Sequence, residues 1–240
     1  MTDGIIAQTT TISGHGGAEI EAYLAHPLEG DHQPSVVVCH HMPGYDRASK
    51  EIARTFAVYG YATLMPNLHH RYAPGAKASD AAAAAREAGG VPDEQCLGDV
   101  QAALDFLRAR PESNGKVGVI GYCSGGRQSL LVACRLDVDA AVDCYGGRAD
   151  PNWGADLRCP LLGLFGEDDQ FPTPDDVRRW PRCSTSTPRA TTSTPTRARA
   201  TRSSRSTGPP TASTRPRTAG SRSGRSTAST CRGPEPCAPT

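Results

Sequence analysis

Gly121-Tyr122-Cys123-Ser124-Gly125-Gly126 decides how this chain is read. It follows Lys116-Val117-Gly118-Val119-Ile120, a short apolar run with the β-branched content of a buried strand. Behind it, Arg127 to Leu136 reads as a helix. A residue set between small neighbours at a strand-to-helix turn is held in a tight, strained bend. The glycines are needed because a side chain would collide where the backbone reverses. The N-terminus of the following helix offers free N–H groups and a partial positive charge, an environment that favours thiolate over thiol. The alternative is a buried structural cysteine, since free Cys is among the most buried residue types. Strand, glycines and helix together weigh against it.

The pattern is similar to the nucleophile elbow of α/β-hydrolases, G-x-S-x-G, with sulfur in place of oxygen. Glutamine amidotransferases and related cysteine hydrolases also carry an elbow cysteine, so the hexapeptide alone does not choose among them.

At 240 residues the chain is long enough for one α/β domain with a sizeable core. A net charge of +1 makes no strong electrostatic case for nucleic acid. No apolar run approaches the length of a membrane span. Met1 to Ile6 lacks the basic region and apolar segment of a secretory signal. Nine cysteines without a C-x-x-C pair do not suggest zinc, and without a leader they read as reduced thiols in a cytoplasmic protein.

The composition breaks near residue 180. After Trp180 there is no Leu, Ile, Val, Met, Phe, Tyr or Trp. A Ser, Thr, Arg, Pro and Ala stretch over 181–240 cannot bury a core and is expected to be disordered. The foldable domain is therefore expected over 1–180.

Within it, Ala18 to His26 alternates as an edge strand does, and Ser35 to His40 is a buried strand. A helix follows over Arg47 to Tyr59 and a strand over Tyr61 to Pro66. Asn67 to Val91 reads as a long loop with an Ala-rich insert at Ala81 to Ala85. Pro92-Asp93-Glu94 opens a helix running to Arg110, with acidic residues in its first turn. Ala140 to Tyr145 and Pro160 to Phe165 are further strands, and Thr173-Pro174-Asp175-Asp176 caps a last helix. Strands alternating with helices argue for a mostly parallel sheet covered on both faces, with ligands at the carboxyl ends of the strands. Three groups fall at such ends: His40-His41-Met42, Cys123 and Glu167-Asp168-Asp169.

Taken together, Val38-Cys39-His40-His41-Met42-Pro43-Gly44, Tyr61 to Leu68, Tyr72-Ala73-Pro74-Gly75, Gly118 to Gly126 and Gly163 to Asp169 resemble the dienelactone hydrolase family, the carboxymethylenebutenolidases. The resemblance covers residues 18–180. It implies an α/β-hydrolase fold and a Cys-His-Asp triad with Cys123 as nucleophile. For the acid, the family's G-x-x-D spacing points to Asp169, while counting back from the following prolines gives Asp168. The oxyanion hole is expected from the backbone N–H groups of Ser124 and Met42. His41 aligns with a glutamate that manages the thiol's proton in dienelactone hydrolases, and Arg71 falls where the family places a carboxylate-binding arginine. Each has a plainer reading, His41 as a polar neighbour and Arg71 as a solvated loop charge.

The family's catalytic histidine belongs near residue 200, yet no histidine follows His70. Read in a shifted frame, with one free base per codon, Thr191 to Ser204 permits Asp-Phe-His-Ser-Tyr-Glu-Gly-Ala-Gly-His-Ala-Phe-Phe, the kind of sequence that surrounds that histidine. The tail thus resembles a frameshifted reading, the shift falling between Arg178 and Thr191. Its rival is a genuine basic tail on a degenerate enzyme.

The resulting expectation is an α/β-hydrolase domain whose last strand and helix are missing. It is expected to act on a small ester or lactone through a Cys123 acyl-enzyme, without metal or organic cofactor, and to be impaired by the absent histidine. Small-molecule substrate, no nucleic acid and no membrane are the expected partners. Other classes remain: a non-catalytic protein with a basic interaction tail, and a cysteine amidotransferase or peptidase.

Overall fold

The computed structural model describes residues 4–179 and 192–196. Along the chain run β1 (Ile5–Ser13), β2 (Glu19–Pro27), β3 (Gln33–Cys39), α1 (Arg47–Val58), β4 (Ala62–Pro66), α2 (Ala78–Glu87) and α3 (Asp93–Arg108). Then come β5 (Ser113–Tyr122), α4 (Ser124–Arg135), β6 (Ala140–Cys144), β7 (Leu161–Gly166), α5 (Pro174–Arg179) and β8 (Thr192–Thr196). The strands form one sheet in the order β1-β2-β4-β3-β5-β6-β7-β8. β1 and β2 pair antiparallel, as do β2 and β4, and every pair from β4 to β8 is parallel.

The apolar runs sit where two-sided burial requires them. Alternate residues of β3 divide between two cores. Val37 and Cys39 join Val117, Val119, Leu104, Leu107 and Leu131 on the α3–α4 face, while Val36 and Val38 join Met65, Ala53 and Ala57 on the α1 face. In α3, Val100, Leu104 and Leu107 recur at the spacing of one helical face and are wholly buried. Burying each such side chain is worth about 1.5–3 kcal/mol.

Helix starts follow their caps. Asp46 accepts the Ser49 N–H at 2.8 Å to open α1. Asp93 and Glu94 occupy the first turn of α3. Thr173 and Asp176 cap α5 reciprocally, the Thr173 N–H donating to Asp176 Oδ2 at 3.0 Å and the Asp176 N–H to Thr173 Oγ1 at 3.2 Å.

Three differences from the sequence reading matter. The strand expected at the edge, β2, lies one place in, because the polar run Ile5–Ser13 pairs along it from Ile5↔Pro27 to Ser13↔Glu19. That run is Thr-rich and mostly exposed, so it lacks the apolar alternation that marks a strand. The Ala-rich insert is the helix α2, with Ala81, Ala82 and Ala85 buried, since alanine is the strongest helix former even without a wide apolar stripe. Beyond residue 180, where the sequence suggests neither strand nor helix, Thr192–Thr196 pairs in parallel with β7, from Leu162↔Thr192 to Gly166↔Thr196. Ladder pairing uses main-chain groups and needs no apolar side chain. The rest of the tail expected to be disordered lies outside the described residues, as does the stretch where a last helix would fall. Among the described residues no helix is long and apolar enough to cross a membrane.

Candidate active site

The parallel strands β3, β5, β6 and β7 end side by side. Cys39 is in register with Gly121, Tyr122 with Cys144, and Cys144 with Leu164. The segments that leave these ends carry all three groups singled out in the sequence, the arrangement in which open α/β sheets bind ligands.

Cys123 stands between β5 and α4 with φ 56° and ψ −118°, a conformation that side-chain-bearing residues rarely adopt. Holding it there costs about 1–3 kcal/mol. The backbone is fixed by three bonds. The Cys123 N–H donates to the Cys144 carbonyl at 3.0 Å, and its own carbonyl accepts from Gly126 N–H at 2.9 Å and Arg127 N–H at 3.3 Å. Cys123 is exposed, whereas Cys39, Cys96, Cys134, Cys144 and Cys159 are buried. The surrounding glycines are steric necessities. A Cβ on Gly121 would run into the Gly125 carbonyl, one on Gly125 into the Cys39 carbonyl, and one on Gly126 into the Asp143 carboxyl. The first turn of α4 is thus pressed onto the ends of both β3 and β6.

Ser124 opens α4, so its N–H has no acceptor within the helix. Among the described residues the Met42 N–H likewise has no backbone acceptor. Both amides belong to segments leaving the adjoining ends of β5 and β3.

In the loop after β7, Asp169 is half-buried and its Oδ2 accepts the Gly166 N–H at 2.8 Å, while Asp168 is exposed. The more sheltered and better fixed carboxylate is therefore Asp169.

The two histidines after β3 differ sharply. His40 is 2% exposed. Its Nε2 accepts the Leu68 N–H at 3.2 Å, which leaves the proton on Nδ1, hydrogen-bonded to the His41 carbonyl at 2.9 Å. Burial and the neighbouring His69 push its pKa down to about 3. With both nitrogens engaged, His40 is a structural, neutral imidazole. His41 is partly exposed and its Nε2 lies 3.1 Å from Asp46 Oδ2. Burial works against the Asp46 charge, but the Ser49 N–H and His41 hold its carboxyl below the usual range. His41 is accordingly an imidazole oriented by a carboxylate, a pairing the sequence did not advertise, since Asp46 lies five residues on at the cap of α1.

Arg71 is not a loose loop charge. Its Nη1 and Nη2 donate to Asp99 Oδ2 and Oδ1 at 2.7 and 2.8 Å, and Nη2 also reaches the His15 carbonyl at 3.0 Å. The Asp99 side chain is 0% exposed and also accepts the His15 N–H at 2.8 Å. The guanidinium ties the loop after β4 to α3 and to the β1–β2 turn. Only the edge turned away from Asp99 could meet a substrate.

Two residues near the elbow escaped the sequence reading. Tyr145, at φ 46°, is 45% exposed, and its hydroxyl pKa is raised by partial burial and by nearby Cys123 and Cys144. Phe171 is 59% exposed, packs over Gly147 and lies 5.6 Å from the Arg148 guanidinium. An exposed aromatic after a strand end carries no motif; the hint available was Tyr145-Gly146-Gly147, a turn signal directly behind an apolar run.

The pattern of the dienelactone hydrolase family matches residues 20–183. The carboxymethylenebutenolidase of Pseudomonas putida is 31% identical over 178 residues, covering 71% of this chain and 73% of that protein. The carboxymethylenebutenolidase of a Pseudomonas species is 29% identical over 180 residues, covering 72% and 73%. Among solved structures, a dienelactone hydrolase-like promiscuous phosphotriesterase from metagenomic libraries superposes with a TM-score of 0.63 at 27% identity, over 73% of this chain and 74% of that one. The matched span takes in every strand from β3 to β7 with the Cys123 elbow and the Asp169 loop, and the chain belongs to the dienelactone hydrolase family.

Proposed function

We propose that this chain hydrolyses a small carboxylic ester or lactone through an acyl-enzyme on Cys123. The observation that carries the reading is the one exposed cysteine among the described residues, held at a strained elbow on the carboxyl edge of the sheet. Cys123 Sγ attacks the carbonyl carbon as a thiolate. The oxyanion that forms is received by the amides of Met42 and Ser124. The carbon–oxygen bond to the alcohol breaks, the alcohol takes up a proton, and a thioester remains. Water then attacks the thioester, releasing the acid and restoring the thiol.

A base is needed for both steps. The family's histidine position near residue 200 holds none here, so the reaction runs below the rate of a complete triad, by several orders of magnitude in typical cases. His41, oriented by Asp46 at 3.1 Å, is the group we assign to proton transfer. Asp169 has no histidine to orient and acts as a fixed negative charge in the neighbouring loop. A cytoplasmic setting suits the reading, since an exposed catalytic thiol must stay reduced.

The test is hydrolysis of p-nitrophenyl acetate and of a dienelactone by the full chain, by Cys123→Ala and by His41→Ala. Turnover that disappears in Cys123→Ala, with a mass increase of one acetyl group on the peptide carrying Cys123, supports the assignment. Equal turnover in Cys123→Ala rejects it. Turnover surviving in His41→Ala rejects His41 as the base and leaves the nucleophile standing.

A further inference from the structure

Asp143 places a carboxyl group in the middle of a parallel sheet. It is 0% exposed. Its neighbours in register are glycines on both sides, Gly121 on β5 and Gly163 on β7, which leave it room. Oδ1 accepts the Gly146 N–H at 2.8 Å. Oδ2 is buried and has no hydrogen-bond partner. The carboxyl is wedged between two backbone segments: a Cβ on Gly126, in the first turn of α4, or on Gly146, in the turn after β6, would collide with Oδ1. One of these segments begins immediately after Cys123. The other carries Tyr145, and between them Cys144 supplies the carbonyl that receives the Cys123 N–H.

We propose that Asp143 is a positioning residue for Cys123, its buried carboxyl setting the separation between the first turn of α4 and the Tyr145–Arg148 turn. The inference rests on the reading of Cys123 as nucleophile. An uncharged carboxyl fits this wedge; a carboxylate there keeps one oxygen with neither solvent nor donor. Burial accordingly raises the Asp143 pKa to about 7, against the opposing pull of the Gly146 N–H.

The groups that face it supply no counter-charge. From α4 comes the Gly126 backbone, and the Arg127 guanidinium, next along the helix, is engaged by Asp93 at 2.7 and 3.1 Å. From β5 comes Gly121, in register with it, and from the turn after β6 the Gly146 backbone. The Cys144 thiol is itself pushed up to about 11 by burial and by Asp143. On β7 the neighbour is Gly163. Above neutral pH Asp143 therefore becomes an uncompensated charge beneath the elbow. Its ionisation loosens the Gly126–Gly146 contact and, with it, the seat of Cys123.

The experiment follows alkylation of Cys123 by iodoacetamide in the full chain from pH 5 to pH 9, read on the peptide that carries Cys123 so that other thiols do not contribute. In the unsubstituted chain the rate is expected to show two ionisations, falling about threefold or more below a single-thiol curve once Asp143 has ionised. In Asp143→Asn, which keeps the shape and one acceptor oxygen, it is expected to follow a single thiol ionisation. A wild-type profile that fits one ionisation overturns the proposal whether or not the variant folds, and so does a two-step profile that persists in Asp143→Asn. A Cys123 that resists alkylation at every pH would instead remove the hydrolase reading, and this inference with it.

Discussion

Cys123 gives its amide hydrogen to the carbonyl of Cys144 at 3.0 Å, which fastens the corner between β5 and α4 to the end of β6. The corner itself is held at φ 56° and ψ −118°, so the protein carries strain at the one cysteine among the described residues that is exposed. Cys123→Gly should release it. The strain is worth about 1–3 kcal/mol and glycine's greater unfolded-state freedom returns about 0.5–1 kcal/mol of it. The variant should thus unfold at a higher urea concentration by about 1 kcal/mol while esterase turnover disappears. A lower midpoint would show that the bend is not strained.

Gly126 offers the opposite experiment. A Cβ there meets the Asp143 carboxyl, the Cys144 carbonyl and the Gly146 amide, two of which are backbone and cannot swing aside. Gly126→Ala should cost about 1–3 kcal/mol or more, despite alanine's better helix propensity. Stability unchanged within error in thermal unfolding would mean that the turn after β6 can retreat, and would weaken the wedge assigned to Asp143.

The Arg71–Asp99 pair separates a strut from a substrate receptor. Arg71→Ala leaves a fully buried carboxylate without its cation, a loss of about 3–5 kcal/mol. Adding Asp99→Ala should recover part of that, because the stranded charge is then gone. Substrate affinity, read as KM for p-nitrophenyl acetate, should stay within about twofold, since a neutral ester gives the guanidinium nothing to pair with. Full stability in Arg71→Ala, with weakened binding only of acidic esters, would return Arg71 to the role suggested by the resemblance.

The parts of this molecule that could be read from the sequence are those with a short-range physical signature. The elbow was legible because strand, glycines and helix are contiguous, and α3 because its acidic first turn and apolar face sit in one stretch. β1 was not, since Thr-rich alternation without burial looks like a loop until β2 supplies its partner. Asp46, Asp99 and Asp143 were equally hidden. Each acquires its role from a group 5 to 28 residues away or across the sheet, as in His41 with Asp46 and Arg71 with Asp99, and nothing local distinguishes these carboxylates from the exposed ones. A missing histidine, by contrast, is visible at once in the sequence and invisible in a fold whose elbow forms without it.

The buried imidazoles predict how the fold responds to acid. Burial, helped by the charge of the neighbouring ring, holds His40 at about 3, and burial together with Arg86 holds His69 at about 4, both below the ordinary value of 6.5. His69 lines a cavity of about 200 Å³ with Tyr45, Lys50 and Asn67, and its buried Nδ1 has no hydrogen-bond partner. Between pH 6.5 and about 4 the unfolded chain takes up protons on both rings that the folded chain refuses. Stability therefore rises with pH across that window and is lost as pH falls through it, by at most about 1.4 kcal/mol per unit for each ring. Asp143 acts in the opposite sense. Raised from 3.8 to about 7, it keeps in the folded state a proton that the unfolded state has released, so its contribution declines as pH rises from 3.8 to 7 and then levels off. His26, also lowered by burial, and the depressed carboxyls of Asp46 and Asp139 act in the same sense as the two rings. His69→Gln, which removes one titrating ring and keeps a neutral polar side chain, should flatten the pH dependence of stability between pH 4.5 and pH 6 by up to about 1.4 kcal/mol per pH unit. An unchanged slope in that variant would place the acid sensitivity of this fold elsewhere than in the His40–His69 pair.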